Sequence, residues 1–310
     1  MRIIAIASFI LLASVSAFAG GGAEGSEDGL SGSIKIAGSS TVYPITVAVA
    51  EEFSRIHPDV EIAVQSTGTG GGFANFFVPG MTEINDASRP IKDSERESAL
   101  ENGITPVELR VATDAVTFVV SPEADWIDGL TLEELEMIWN PENPPAYWDE
   151  VNPAWPHEPI ELYGPTAASG TFDYFTEEIM GEGGRSRGDY QKTEQDNTIV
   201  HAVQGSQYAM GYFGMAYYLE NEENVKPLAI DGVLPSLESA ANGSYTPLSR
   251  PIFIYVGREY LEREEVRAFV EFYVDLVDTS LISDVGYVPL NPQQTADVEA
   301  VLADALAATE

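Results

Sequence analysis

The chain has 310 residues, which is too long for one small domain and favours two lobes of roughly 100–200 residues each. Its 50 acidic and 15 basic side chains give a formal net charge of -35, so it lacks the basic surface that a nucleic-acid-binding protein needs. With 44% hydrophobic residues it can still build apolar cores, and without cysteine it forms neither disulfides nor cysteine-ligated metal sites.

The first 19 residues have the features of a secretory signal peptide. Arg2 precedes an apolar run that ends in Ala17-Phe18-Ala19, the small-residue pattern of a cleavage site, and this run is shorter than the ~20 apolar residues of a membrane span. Residues 20–32 are rich in Gly, Ser and acidic residues, which predicts a flexible linker. Since no cysteine is available for lipid attachment, we expect a periplasmic or secreted protein without a lipid anchor.

Strands and helices alternate in the first part of the mature chain. Residues 33–38 and 60–66 are strand-like, and residues 45–58 between them have the spacing of an amphipathic helix. A strand-helix-strand unit of this kind predicts parallel pairing through a right-handed crossover. Residues 70–80 are expected to begin a second, short helix.

The next segments predict a passage between two lobes. Residues 83–91 read as a strand that ends in the turn Ser88-Arg89-Pro90, and residues 93–103 read as a helix with an Asp/Ser start and a Gly stop. Residues 107–122 form a β-rich run that is long enough to cross from one lobe to the other.

The second half repeats these patterns. Residues 130–140 predict a helix capped by Thr131, and the proline-rich residues 141–159 predict an irregular loop. Residues 160–181 again read as strand, small polar turn and helix, and residues 201–222 read as a helix followed by a strand and a turn.

A second β-rich run, residues 247–257, is suited to return the chain to the first lobe, and two terminal helices follow at 261–278 and 291–310. The two crossings predict a discontinuous lobe 1 formed by residues 33–111 and 248–310. The intervening residues 112–247 are predicted to form lobe 2.

Three small polar turns, each directly after a predicted strand, point to an anion site. They are GSST at 38–41, STGTGGG at 66–72 and ASGT at 168–171. The start of a helix leaves backbone N–H groups unpaired and carries partial positive charge, and small residues let an anion approach them. In open α/β sheets ligands bind beyond the carboxyl ends of the strands, where these turns fall. Arg89, in the turn after a predicted strand, adds a guanidinium that matches oxyanion geometry.

The net negative charge does not argue against such a site. We interpret the acidic residues as a solvated shell, whose field is screened over ~8 Å at physiological salt. An enclosed anion site therefore depends mainly on its nearest dipoles and charges.

Seven ordered motifs resemble the PstS family, the periplasmic phosphate-binding components of high-affinity phosphate ABC transporters. They run from about Ser33 to Asn291 and read AGSSTVYPI, STGTGGGF, DASRPIK, YGPTAASGTFDYF, AMGYFGMAYY, PLSRPIFIYV and VGYVPLN. The resemblance implies an α/β protein with the type II periplasmic-binding-protein fold, in which two α/β lobes are joined by crossover strands around a ligand cleft. It also implies inorganic phosphate as ligand, membrane permease subunits as partners, and a monomeric protein that is not an enzyme and has no cofactor or metal.

The resemblance also implies which residues contact phosphate. In lobe 1 the matching positions are Ser40, Thr41, Val42, Thr69, Gly70, Ser88 and Arg89, and in lobe 2 they are Ser169, Gly170 and Thr171.

This chain departs from some branches of the family at two places. Those branches carry an Asp at the position of Arg89, where it accepts the proton of hydrogen phosphate and so rejects sulfate. They also carry an Arg upstream of the SGT turn, where this chain has Gly164-Pro165. The motifs therefore leave the proton acceptor open among Asp114, Asp173 and Asp196.

Three other functions remain open at this level: a receptor for sulfate or another tetrahedral oxyanion, a secreted phosphate-ester hydrolase on the same scaffold, and a scavenger or sensor without a permease. The hydrolase would use Ser169 as nucleophile, but AASGT is not the G-x-S-x-G elbow. The three histidines, His57, His157 and His201, lie in no metal-binding motif. These patterns favour a binding protein.

Overall fold

The computed structural model describes residues 29–167, 169–193 and 195–309. The predicted signal peptide and residues 20–28 of the predicted linker lie outside these ranges. Gly32, the last residue assigned to the linker, is already the first residue of a strand.

Eleven strands and twelve α-helices lie in the described ranges. The strands are β1 (Gly32–Gly38), β2 (Val60–Ser66), β3 (Ile84–Ala87), β4 (Pro106–Val120), β5 (Gly129–Leu130), β6 (Glu161–Gly164), β7 (Gln191–Lys192), β8 (Ala209–Gly214), β9 (Lys226–Pro227), β10 (Ala229–Ile230) and β11 (Ser249–Gly257). The helices are α1 (Tyr43–Ile56), α2 (Thr69–Gly72), α3 (Asp93–Glu101), α4 (Leu132–Trp139), α5 (Trp148–Val151), α6 (Gly170–Ile179), α7 (Asp196–Gly205), α8 (Met215–Glu220), α9 (Leu237–Ala241), α10 (Glu264–Val274), α11 (Ser280–Asp284) and α12 (Pro292–Ala307). A π-helical turn (Phe73–Phe77) continues α2, and a 3-10 helix (Arg258–Glu262) precedes α10.

The opening strand-helix-strand unit is confirmed, including the parallel pairing of β1 with β2. The predicted cap of α4 is also confirmed, since the Thr131 hydroxyl accepts a hydrogen bond from the backbone N–H of Glu134. Two predictions were wrong in detail. The proline-rich loop contains the short helix α5, whose Trp148 is fully buried, and the turn expected after β8 is the helix α8. In both places burial of apolar side chains outweighs the local loop signals.

A nine-stranded curled sheet runs through the molecule in the strand order β2-β1-β3-β11-β4-β8-β6-β7, and β9 also pairs with β4. The short strands β5 and β10 form a separate parallel pair. The long strand β4 joins its two halves. Its first part, Pro106–Ala115, pairs antiparallel with β11, and its second part, Val116–Val120, pairs antiparallel with β8. The two β-rich runs of the sequence are therefore neighbouring strands in the middle of the sheet, as expected for strands that cross between two lobes.

Apolar side chains form two large cores, as expected for two lobes. One cluster combines residues from β1, α1 and β2 with residues from α10 and α12 at the carboxyl end of the chain. The other lies entirely between Ala115 and Val288 and includes Trp139, Trp148 and Tyr212. A smaller cluster around Phe73 and Phe77 packs on the other face of the first half-sheet. The clusters change close to the predicted lobe boundaries, but Ala112 packs in the first cluster and Leu248 and Val288 pack in the second, and the boundaries stay a prediction.

A buried carboxyl group holds the start of α1 against the sheet. The Thr46 hydroxyl donates to Asp86 Oδ1 at 2.9 Å and lies 3.0 Å from the Tyr273 hydroxyl. The backbone carbonyl of Asp86 accepts a hydrogen bond from Ser39 N–H at 2.9 Å. Asp86 Oδ2 has no hydrogen-bond partner within the described ranges. Burial raises the pKa of Asp86 to about 8, although the Thr46 hydrogen bond acts in the opposite direction.

This carboxyl group should make the protein less stable as the pH rises. The folded state keeps a proton that the unfolded chain releases above its ordinary pKa of 3.8, so the free energy of unfolding falls between about pH 4 and about pH 8. We expect the ligand-stripped Asp86→Asn variant to lose less Tm than the wild type between pH 5 and pH 8. The difference should be at least about 3 °C, or about 1 kcal/mol.

Thermal melts at both pH values check this expectation. Asp304→Asn, which removes an exposed carboxyl from α12, is the control and should follow the wild type. An equal pH dependence of Asp86→Asn and the wild type would contradict the buried-acid assignment.

Candidate functional site

The turn after β1 is fixed by a close approach of two backbones. Gly38 has φ of +139°, and a Cβ there would lie 2.1 Å from the Asp86 carbonyl oxygen, so no larger residue fits. The Thr41 N–H donates to Ser39 Oγ at 3.1 Å, which closes the turn. Pro44 then occupies the first turn of α1, where its missing N–H costs nothing. Ser40 is left exposed at the carboxyl end of β1.

A second turn joins β2 to α2 and packs against the first. The Thr67 N–H donates to the Gly38 carbonyl at 2.8 Å. Gly72 is buried beside Gly38, and a Cβ at Gly72 would lie 2.6 Å from Gly38 Cα and 2.1 Å from Asn85 Oδ1. These contacts bring the first N–H groups of α2 next to the turn that precedes α1. Such N–H groups have no partner inside their own helix and are available to a ligand.

The third segment follows β3. The hydroxyls of Thr69 and Ser88 lie 3.0 Å apart, and the Ser88 N–H donates to Thr69 Oγ1 at 3.1 Å. The next residue, Arg89, is half-buried and donates from both terminal nitrogens to the Glu95 carboxylate, at 2.9 and 2.8 Å. Burial acts to raise the pKa of Glu95, but the hydrogen bond from Arg89 and its charge outweigh this effect and lower it. Arg89 is thus held in place by α3 at the edge of the cleft.

A second arginine, Arg250, enters the cleft from β11, and the sequence reasoning missed it. Its guanidinium carbon lies 3.8 Å from the ring centre of Tyr174, its Nε lies 3.4 Å from Asp114 Oδ2, and its Nη2 donates to Thr41 Oγ1 at 3.4 Å. The side chain is only 14% exposed. A signal was available, because Ser249-Arg250-Pro251 repeats the tripeptide Ser88-Arg89-Pro90 at the start of a crossing strand.

Three carboxylates of α6 lie near Arg250. Glu177 Oε2 lies 3.6 Å and Glu178 Oε1 lies 3.9 Å from Arg250 Nη1. Asp173, one turn earlier, is half-buried. Burial raises the pKa of Asp173, and the nearby Glu177 adds to this effect, whereas the Ser40 side chain and the charge of Arg250 oppose it.

These groups surround one cavity of about 380 Å³ between the two halves of the sheet. It is lined by Ser39, Ser40, Thr41, Gly68, Thr69, Gly70, Ser88, Arg89, Asp173, Glu177, Glu178 and Arg250. Six of the ten predicted contact residues therefore lie together here, namely Ser40, Thr41, Thr69, Gly70, Ser88 and Arg89.

The other four predicted residues lie beside this cavity. Val42 is fully buried as the N-cap residue of α1, so only its backbone could reach a ligand. Ser169, Gly170 and Thr171 line a neighbouring cavity of about 250 Å³. The walls of the two cavities touch, since a Cβ at Gly170, which lines the smaller cavity, would lie 3.3 Å from Cα of Thr41, which lines the larger one. The role of all ten residues in ligand binding stays a prediction.

The three candidate proton acceptors occupy different places. Asp173 lines the cavity that contains both arginines, and Asp196 lines the neighbouring cavity with Thr171. Asp114 is buried on β4 behind Arg250. Burial raises the pKa of Asp114 to about 6, although Arg250 acts against it.

The cavity has the hydrogen-bond donors of an anion site. Neither cavity is lined by a histidine, and the Ser169 hydroxyl accepts the hydrogen bond of its own helix cap from Thr171 N–H at 3.2 Å. In the described ranges no three His, Asp or Glu side chains are grouped to hold a metal ion. None of the helices described is long and apolar enough to cross a membrane.

A curled α/β sheet with a polar cleft between two lobes is the architecture of solute-binding proteins, and residues 23–275 match the model of the PBP superfamily domain. The chain is 45% identical to the protein SphX of Synechocystis over 83% of this chain and 78% of that protein. It is 34% identical to the phosphate-binding protein PstS of Staphylococcus saprophyticus over 92% of this chain and 89% of that protein. The crystal structure of a possible phosphate-binding protein from Planctomyces limnophilus superimposes with a TM-score of 0.85 at 40% identity, and covers 89% of this chain and 99% of that one. The chain therefore belongs to the PBP superfamily and, within it, to the PstS family.

The contact between Gly72 and Gly38 supports the site geometry and can be tested directly. We expect Gly72→Ala to lower the free energy of unfolding by about 1–3 kcal/mol, because the added methyl group overlaps Asn85 and the Gly38 backbone. The matched control is Gly71→Ala, whose Cβ would meet nothing closer than Thr67 Cβ at 3.8 Å. Denaturant unfolding of both variants measures the difference. Equal stability of the two variants would refute the close approach.

Proposed function

We propose that this chain binds inorganic phosphate outside the cytoplasmic membrane and delivers it to the permease of an ABC transporter. The observation that carries the proposal is the cavity in which the polar turns after β1, β2 and β3, the last of which contains Arg89, meet Arg250 from β11. Family membership supports it, since the similar PstS protein of Staphylococcus saprophyticus is a phosphate-binding protein. In this proposal the chain is a monomeric binding protein and has no catalytic activity.

The physical basis of binding is a set of donors that point at one place. The first backbone N–H groups of α2 and the dipole of α1 supply partial positive charge, and the hydroxyls of Ser40, Thr69 and Ser88 supply further donors. The two guanidiniums supply full charge in a partly enclosed space, where an ionic hydrogen bond is stronger than in water. The acidic outer surface acts from farther away and is screened by salt.

Delivery requires that the cleft opens and closes. The two halves of the sheet are connected through β4 and β11, which supply a natural hinge, with residues 33–111 and 248–310 as one lobe and 112–247 as the other. The Thr41 turn faces Gly170 at the start of α6 across the cleft. A ligand that bonds to both sides stabilises the closed form by the difference between its affinities for the two forms.

We assign the proton acceptor for hydrogen phosphate to Asp173. It is the one candidate of the three that lines the cavity with both arginines. A carboxylate there accepts a hydrogen bond from the protonated oxygen of phosphate and repels sulfate, which has no proton at neutral pH. This assignment moves the role from the position of Arg89, where other branches of the family carry it, to the opposite wall of the cleft.

The first test is the affinity for phosphate. Ligand-stripped wild type should bind inorganic phosphate with micromolar or tighter affinity by calorimetry, and Arg89→Ala should weaken binding by about 10- to 100-fold, because a charge-assisted hydrogen bond contributes about 1.5–3 kcal/mol. Arg55→Ala is the control, because Arg55 is exposed on α1 and pairs with Glu52 outside the cleft.

The fold of Arg89→Ala should be intact by circular dichroism, since Glu95 is only partly buried and can be rehydrated. Unchanged affinity of this variant would remove Arg89 from the site. Absence of phosphate binding by the wild type would refute the proposed function itself.

The second test concerns selectivity. Asp173→Asn replaces an obligate acceptor by an amide that can also donate, so the affinity for sulfate relative to phosphate should rise by at least about tenfold. Competition calorimetry at pH 7.5 measures this ratio. Asp196→Asn, in the neighbouring cavity, is the matched control and should keep the wild-type ratio. If only the control changed the ratio, Asp196 would be the acceptor.

A further inference from the structure

We propose that Glu177 and Glu178 form a charged gate that excludes condensed phosphates, such as pyrophosphate and the ends of polyphosphate chains, from this site. The inference rests on the proposed function and names two specificity-determining residues for it. Both residues line the cavity, although neither follows from the anion-binding motifs of the sequence.

The size of the cavity does not explain why it would take a single phosphate. Its volume is about 380 Å³, whereas a water molecule occupies roughly 30 Å³ in the liquid, and one phosphate takes up only a few such volumes. A second phosphoryl group therefore fits beside the first. Exclusion of a second phosphoryl group therefore requires an unfavourable interaction, because steric exclusion is not available.

Both arginines that line the cavity are already paired with carboxylates of the protein. Arg89 is bound through both terminal nitrogens by Glu95, and Arg250 lies between Asp114 and the carboxylates of α6. The hydrogen-bond donors in the turns after β1, β2 and β3 can balance the charge of one small anion. A second anionic group would find no unpaired cation among the residues that line the cavity.

The two glutamates lie at the outer side of the cavity. Their side chains are 54% and 39% exposed, whereas Arg250 between α6 and the crossing strands is 14% exposed. An anion held by the three turns and Arg250 would point any additional phosphoryl group outward, toward these carboxylates. The negative charges of the glutamates repel an additional phosphoryl group in the same cavity. Because both carboxylates are partly hydrated, we expect this repulsion to weaken binding by on the order of tenfold and to depend on salt.

The test separates charge from size by comparing three ligands in magnesium-free buffer. Phosphate is the reference, methyl phosphate is larger but carries a similar charge, and pyrophosphate is larger and more negative. Calorimetry on the ligand-stripped full-length protein gives the dissociation constant of each. The variant is the isosteric double substitution Glu177→Gln/Glu178→Gln, and Glu133→Gln/Glu136→Gln on α4 removes two exposed charges of the same lobe outside the cavity.

We expect the ratio of the pyrophosphate to the phosphate dissociation constant to fall by about tenfold in the cleft variant and to stay at the wild-type value in the α4 variant. The ratio of the methyl phosphate to the phosphate dissociation constant should change by less than about threefold in both variants. In the wild type, added salt should lower the pyrophosphate ratio, because it screens the carboxylates.

A pyrophosphate ratio that moves by less than threefold in the cleft variant, or equally in both variants, overturns the proposal. An equal gain for methyl phosphate overturns it as well, since the exclusion would then depend on size. If the double variant does not fold, the single variants Glu177→Gln and Glu178→Gln carry the same comparison. Failure of the proposed function has a different signature, namely no phosphate binding by the wild type.

Discussion

The functional site depends on one close contact between backbones. Gly38, at the end of β1, lies against the Asp86 backbone on one side and against Gly72 on the other. A Cβ at either glycine would lie 2.1 Å from an atom of the neighbouring segment, so a side chain there would push the strand ends apart. Because both positions lack a Cβ, the turns after β1, β2 and β3 converge, and hydroxyls and helix N–H groups that are up to about 50 residues apart in sequence face one small volume.

The buried polar groups around this contact show how the turns are held. Asp86 bonds to Thr46 through its side chain and to Ser39 through its backbone, so one residue positions both the turn and the helix that follows it. The raised pKa of Asp86 indicates a carboxyl group that is neutral in the folded protein at neutral pH. A neutral acid under the turn can serve as an anchor without repelling an anion above it.

Electrostatics explains how a chain of net charge -35 can offer an anion site. Arg89 is pinned by Glu95 and Arg250 by Asp114, so each guanidinium is oriented before a ligand arrives. The carboxylates of α6 then determine which anions bind. In our proposals Asp173 accepts a hydrogen bond from the protonated oxygen of phosphate, and Glu177 and Glu178 repel ligands of higher negative charge. Acidic residues thus supply selectivity where basic residues and dipoles supply affinity.

Local signals in the sequence determined much of the fold and part of the candidate site. The alternation of strand and helix patterns gave two α/β lobes, the parallel β1–β2 pair and the polar turns, because periodicity and capping act within a few residues. Short-range signals also marked Arg89, and the ordered motifs placed the chain in its family. They left Asp173 as one of three candidate acceptors and did not reveal Arg250, Glu177 or Glu178 as neighbours of Arg89. They also misjudged α5 and α8, where burial decides the conformation. Only the tertiary structure could bring β11 and α6 to the turns of lobe 1, since those contacts depend on how two separately built halves of one sheet face each other.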